Sequence, residues 1–221
     1  MDAAYDTGRV GQVLERLAQE RIDNPYAMLH LSEMMNEPNW ATKYEPLHCG
    51  VPAAWRLIQQ GPGGIEDRSN KEEVVVAIQG IVAKKDLPPF EEKVSMNSTH
   101  AQFLRQSVTL VGFHTPTFAK AVTNALELHA FLGRSVSHNN LEQCSIAPSA
   151  QEYPFSPNVD LKGYLAAAVG RTLAHIEDNI VQYYEMTTNY AGDTKFTCAK
   201  PIKVQVGDIV EVQVSIILVP L

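Results

Sequence analysis

Residues 207–219 constrain the fold more than any other stretch. Gly207-Asp208 introduces Ile209 to Ser215, in which Val210, Val212 and Val214 alternate with Glu211, Gln213 and Ser215. Successive side chains on a strand point to opposite faces, so this period of two predicts a strand with one face buried and the other in water. The text then turns wholly apolar at Ile216, Ile217, Leu218 and Val219. An uncovered apolar edge is an aggregation hazard. The strand must therefore be central in its sheet, be paired by a second copy or a protein partner, or be followed by more β-sequence of the same protein.

Strand-like text also precedes it. Asn179 to Tyr190 is rich in Val, Tyr, Thr and Ile, Ala191-Gly192-Asp193 reads as a turn, and Lys195 to Cys198 returns as a hairpin partner. Leu161 to Ala168 reads as a short helix leading into this part.

The first part of the chain carries helical spacing instead. Val10, Val13, Leu14 and Leu17 form one stripe, with Arg9, Glu15, Arg16, Glu20 and Arg21 directed elsewhere. Asn24-Pro25 offers a cap and a first-turn proline for a second helix carrying Met28, Leu29, Leu31, Met34 and Met35 and ending before Pro38. Val51 to Gln60 reads as a short helix around Trp55 and Leu57, stopped by Gly61-Pro62-Gly63-Gly64. Asn70 and Glu73 form a capping-box pattern before Val74, Ile78, Ile81 and Val82. There the β-branched run Val74–Val76 and Gly80 make a strand the competing reading. Ala101 to Gly112 looks helical through Leu104, Val108 and Val111. The clearest helix runs from Thr115-Pro116 to Gly133, with Phe118, Val122, Ala125, Leu126, His129 and Leu132 on one face.

Residues 134–160 show no sustained period and hold Pro148, Pro154 and Pro157, so they read as a loop or linker. The fold class that follows is α+β. It consists of a helical part over 1–133, a connecting segment over 134–160 and a β-rich part over 161–221. The β-rich part would form a small antiparallel sheet or partial barrel.

Composition narrows the function classes. A net charge of −7 over 221 residues opposes a general electrostatic grip on nucleic-acid phosphates, although a local basic face stays possible. The terminal apolar run is far shorter than the roughly 20 residues of a membrane helix, which leaves no expected span. Met1-Asp2-Ala3-Ala4-Tyr5 lacks the basic start and apolar run of a secretory signal, so a cytoplasmic or nuclear address is expected. Cys49, Cys144 and Cys198 are odd in number and far apart, fitting neither a disulfide framework nor a zinc cluster.

Several sets of residues are candidates for chemistry. His175 and Glu177 lie two apart, so on a strand both would face one metal ion. A third histidine ligand further along is missing, and a salt-bridging polar cluster is the plainer reading. Tyr183 and Tyr184, with Lys195, Lys200 and Lys203 nearby, could form an aromatic and basic surface for nucleic acid. Solubilising edge charges are the plainer reading of those lysines. His129 on its helix face reads as a hydrogen-bonded core histidine. Gly61-Pro62-Gly63-Gly64 is followed by Glu66 and Asp67 rather than the Lys-Ser/Thr of a phosphate loop, and no cofactor is implied. No G-x-S-x-G elbow occurs in the chain, and His48-Cys49, being adjacent, do not face each other as a dyad.

Pro157-Asn158-Val159-Asp160, His175-Ile176-Glu177-Asp178-Asn179 and the stretch from Val206 to Ser215 resemble a family of uncharacterised proteins from mushroom-forming (basidiomycete) fungi. The resemblance covers the last third of the chain and carries no activity, ligand or catalytic residue. It implies that further β-sequence follows Leu221 in such relatives. The Val-Gly-Asp-Ile-Val-Glu-Val phrase also looks like the opening strand of small barrel modules that bind nucleic acids or chromatin. The leading expectation is a non-enzymatic interaction or self-assembly protein, a homo-oligomer or one with a protein partner, pairing through Ile216–Val219. The alternatives are a nucleic-acid-associated module and a metal-dependent enzyme using His175 and Glu177.

Overall fold

Asp6 begins the first ordered element: its side chain accepts the Arg9 amide at 2.9 Å and caps helix α1, Thr7–Ile22. The computed structural model describes residues 5–49, 54–59, 72–88, 106–138, 143–144, 162–163, 180–189 and 193–218. The strands in chain order are β1 (Tyr44–Cys49), β2 (Ala54–Gln59), β3 (Glu72–Glu73), β4 (Val75–Asp86) and β5 (Ser107–Val111). After helix α2 (Pro116–His138) come β6 (Gln143–Cys144), β7 (Tyr184–Thr188), β8 (Thr194–Cys198), β9 (Ile209–Ser215) and β10 (Ile217–Leu218). The class is mixed α+β, as the sequence predicts, and no sheet among the described residues closes into a barrel.

The chain forms two units. One comprises 1–81, 111–148 and 209–221, and the other 82–110 and 149–208. In the first unit a sheet of order β10-β2-β1-β6, with β3 also on β2, is antiparallel except where β6 joins β1. Val75 to Ile81 of β4 pair antiparallel with Ser215 to Ile209 of β9. Tyr44, Leu57 and Val76 from the strands and Val74 between β3 and β4 meet Ala121, Leu128 and Leu132 of α2 and Leu31 and Met34 in one core. Trp40 stands edge-on to Phe131 with ring centres 5.2 Å apart.

Several expected helices are strands or turns. Asn24 caps no helix: its side chain accepts the Tyr26 amide and its carbonyl the Ala27 amide, closing a single turn. The chain continues through turns to His30, which bridges Ala77 of β4. Residues 54–59 form β2, bordered by β1, β3 and β10, with Leu57 and Ile58 both buried. A strand covered on both faces loses the alternation that would identify it. At Val74–Val82 the strand reading holds, and residues 107–111 are β5 rather than the end of a helix. Leu104 lies outside the described residues.

Helix α2 starts where the sequence places it and runs past Gly133 to His138. Its buried face is turned by about one residue from the expected stripe. Thr117, Ala121, Asn124, Leu128 and Leu132 are buried, whereas Val122, Leu126 and His129 are exposed, so His129 is not a core histidine. Among the described residues the Thr115 hydroxyl has no capping partner. Instead Glu15 of α1 accepts the Thr117 amide at 3.2 Å and its hydroxyl at 2.6 Å, supplying a carboxylate to the helix start.

The second unit contains the end of β4, most of β5 and the hairpin β7–β8, whose antiparallel pairing matches the expected return of Lys195 to Cys198. Gly207, at φ +100, makes the turn before β9 and donates its amide to Val82. Among the described residues no helix is long and apolar enough to cross a membrane.

Candidate functional site

The terminal strand is paired within its own chain. Ile217 lies opposite Arg56 and Leu218 opposite Trp55, which makes β10 the outermost strand of the five-stranded sheet. Alternation then sorts the apolar run. Ile216 and Leu218 pack on the core, while Ile217 points away and is 49% exposed. Val219 lies outside the described residues. On the side away from β2, no strand among the described residues borders β10. Ile216–Leu218 bears no charge and no proline, the usual guards of an edge.

The hairpin separates the residues nominated for nucleic acid. Directly opposite residues of an antiparallel pair share a face. Tyr184, Met186, Phe196 and Cys198 therefore form one face, and Glu185, Thr187, Lys195 and Thr197 the other. Tyr183 is half-buried just before β7, where its hydroxyl donates to Gln106, and burial pushes its pKa up to about 12. Lys203 is held 2.5 Å from Glu185. Of the five nominees, Tyr184 and Lys195 are exposed on opposite faces of the hairpin, Lys200 is exposed beyond it, and Lys203 is exposed but charge-paired. Tyr184 and Phe196 are 55% and 63% exposed, so the apolar face of the hairpin is open to solvent.

A third constellation escaped the sequence analysis. Glu211 of β9 accepts two bonds from Arg21 of α1, at 2.8 and 2.9 Å, and one each from Gln79 of β4 and Gln213, at 3.0 Å. Burial raises the Glu211 pKa, but these bonds outweigh it and hold the carboxyl below its ordinary range. His30, which bridges Ala77 of β4, is 3% exposed. Its Nδ1 accepts the Ser32 amide at 3.2 Å and lies 2.8 Å from the Ser32 hydroxyl. Its Nε2 is buried and has no hydrogen-bond partner among the described residues. Burial pulls the His30 pKa below its ordinary value, against the opposing pull of Glu211 and Glu33. Glu211 looked like the water-facing half of an alternating strand, and His30 sat in an expected helix. Their partner Arg21 is 190 positions from Glu211, a separation that local patterns do not reach.

His175 and Glu177 lie outside the described residues. Among the described residues no three His, Cys, Asp or Glu side chains converge as metal ligands. The structure thus defines an α+β protein with an outermost apolar strand and a solvent-facing hairpin. No family model matches the chain, and no match was found among curated proteins or solved structures.

Proposed function

We propose that the chain is a non-enzymatic interaction protein that assembles with a second copy of itself by strand addition at the outer edge of β10. The observation that carries this reading is the position of β10 at the end of its sheet, with Ile217 half-exposed and the strand unguarded. An edge strand presents a row of unpaired amides and carbonyls, and an identical edge related by a two-fold axis satisfies it in antiparallel register. Ile216 and Leu218, anchored in the core, hold the edge in shape. Light scattering on a sizing column tests the reading. A dimer is expected for the natural chain and a monomer for Ile217→Glu. Glutamate is chosen because Arg56 lies directly opposite and would repel lysine. A strict monomer at every concentration defeats the proposal.

The hairpin supports a second reading, a nucleic-acid-associated module. Tyr184 and Phe196 offer exposed rings on which unpaired bases can stack, and each such stack is worth about 1–3 kcal/mol. Salt-sensitive binding to single-stranded RNA, lost in Phe196→Ala, is the expected signature. No binding at low salt removes the idea.

A further inference from the structure

We propose that Cys49 and Cys144 form a reversible disulfide that staples β6 to β1, which makes this end of the five-stranded sheet responsive to the thiol–disulfide balance around the protein. The register of the two strands carries the inference. β6 runs parallel to β1, with His48 opposite Gln143 and Cys49 opposite Cys144. Two of the three cysteines in the chain are therefore register partners. Their wide separation in sequence gives no hint of this, because the sheet and not local spacing brings them together.

Strand geometry supplies what the bond requires. Neighbouring strands lie about 4.7–4.9 Å apart, and the Cα atoms of a disulfide are usually about 4.4–6.8 Å apart. Register partners also occupy the same face of a sheet, whereas a slip of one residue would place the two cysteines on opposite faces. Among the described residues the pairing of β6 with β1 ends at Cys144, so a small backbone shift there disturbs no later pair.

Topology gives the staple its effect. β6 has two residues, where strands usually run about 3–10, and among the described strands it borders β1 alone. So short a ladder holds weakly by itself. A bond between Cys49 and Cys144 also closes a long loop, and long closures restrict the unfolded chain most. β6 ends the strand order opposite β10, so the staple and the assembly edge are separate sites and stand or fall separately.

The reaction is exchange with a small-molecule disulfide, which acts as the oxidant. One cysteine thiolate attacks a sulfur of that disulfide, forming a mixed disulfide and expelling one small thiolate. The other cysteine thiolate attacks the protein sulfur of the mixed disulfide, closing the Cys49–Cys144 bond and expelling the second. The protein gives up two electrons and two protons, which leave on the two small thiols. Excess small thiol reverses both steps.

The test equilibrates the natural chain with reduced and oxidised glutathione at a series of ratios, alkylates it, digests it without reduction and maps the peptides by mass spectrometry. Expected is a peptide pair joined through Cys49 and Cys144, to an extent that follows the glutathione ratio and is independent of protein concentration. Cys198, exposed on the hairpin, should be alkylated or carry a single glutathione. Oxidation should raise the thermal midpoint of the natural chain by about 4–16 °C and leave that of Cys144→Ser unmoved. Absence of the joined pair at full oxidation overturns the staple, as does a midpoint that fails to rise when the pair is present. A yield that grows with protein concentration also overturns it, because the bond then joins two copies. If Cys144→Ser fails to fold, the natural chain's peptide map and midpoint decide alone.

Discussion

Asn124 shows how a single polar residue can fix the face that a helix buries. Its side-chain amide donates to the Leu31 and Ser32 carbonyls at 2.8 and 3.0 Å, tying α2 to the turn that carries His30. Asn124→Ala leaves two buried carbonyls without that donor, and the expected loss is about 1–3 kcal/mol by urea unfolding. A hydrophobicity pattern cannot find such a residue. It selects Val122 and Leu126 as the inner stripe, although Leu126 is 68% exposed, because it ranks Thr117 and Asn124 as outward positions. Paired substitutions separate the two assignments. Leu128→Ala should cost about 2–5 kcal/mol, and Leu126→Ala no more than about 0.5 kcal/mol. Equal costs would restore the stripe read from the sequence. The Arg21–Glu211 pair was illegible for the same reason: its members are 190 positions apart and each looks like surface.

Elements with their own local signals were legible, and elements defined by their neighbours were not. α1, the hairpin β7–β8 and β9 follow their periodicity and turn residues closely. β2 does not, because Leu57 and Ile58, which point to opposite faces, are both buried and remove the period of two. The turns after Asn24 also mislead, since His30 and Leu31 are drawn to β4 by tertiary pairing rather than into a helix. The start of α2 combines both kinds of signal. Thr115 and Pro116 mark it, but Glu15 from α1 supplies the bonds, and the approach is shaped by Phe113 and His114 at positive φ. Gly112 precedes them because a Cβ there would overlap the Phe118 ring. Gly112→Ala is therefore expected to cost about 1–3 kcal/mol, even though alanine normally stiffens a chain favourably. Thermal unfolding checks this, and an unchanged midpoint would mean that the Phe118 ring moves aside freely.

At the scale of the molecule, the expected address for the apolar terminal run is only partly answered by its own chain. The run is an edge strand, with two side chains in the core and one half-exposed. Its second edge matters thermodynamically if another copy occupies it, because association that requires the folded state raises stability by mass action. At one hundred times the dissociation constant the gain is about 2.7 kcal/mol. For a chain of this size each kcal/mol moves the midpoint by about 2–4 °C. Raising protein concentration from well below to well above dissociation should therefore raise the natural chain's midpoint by about 5–11 °C. Ile217→Glu should unfold at one midpoint across the same range, close to that of the dilute natural chain, because Ile217 lies outside the core. A midpoint independent of concentration for both chains would show that β10 closes the sheet without a partner, and would leave the hairpin as the surface to test next.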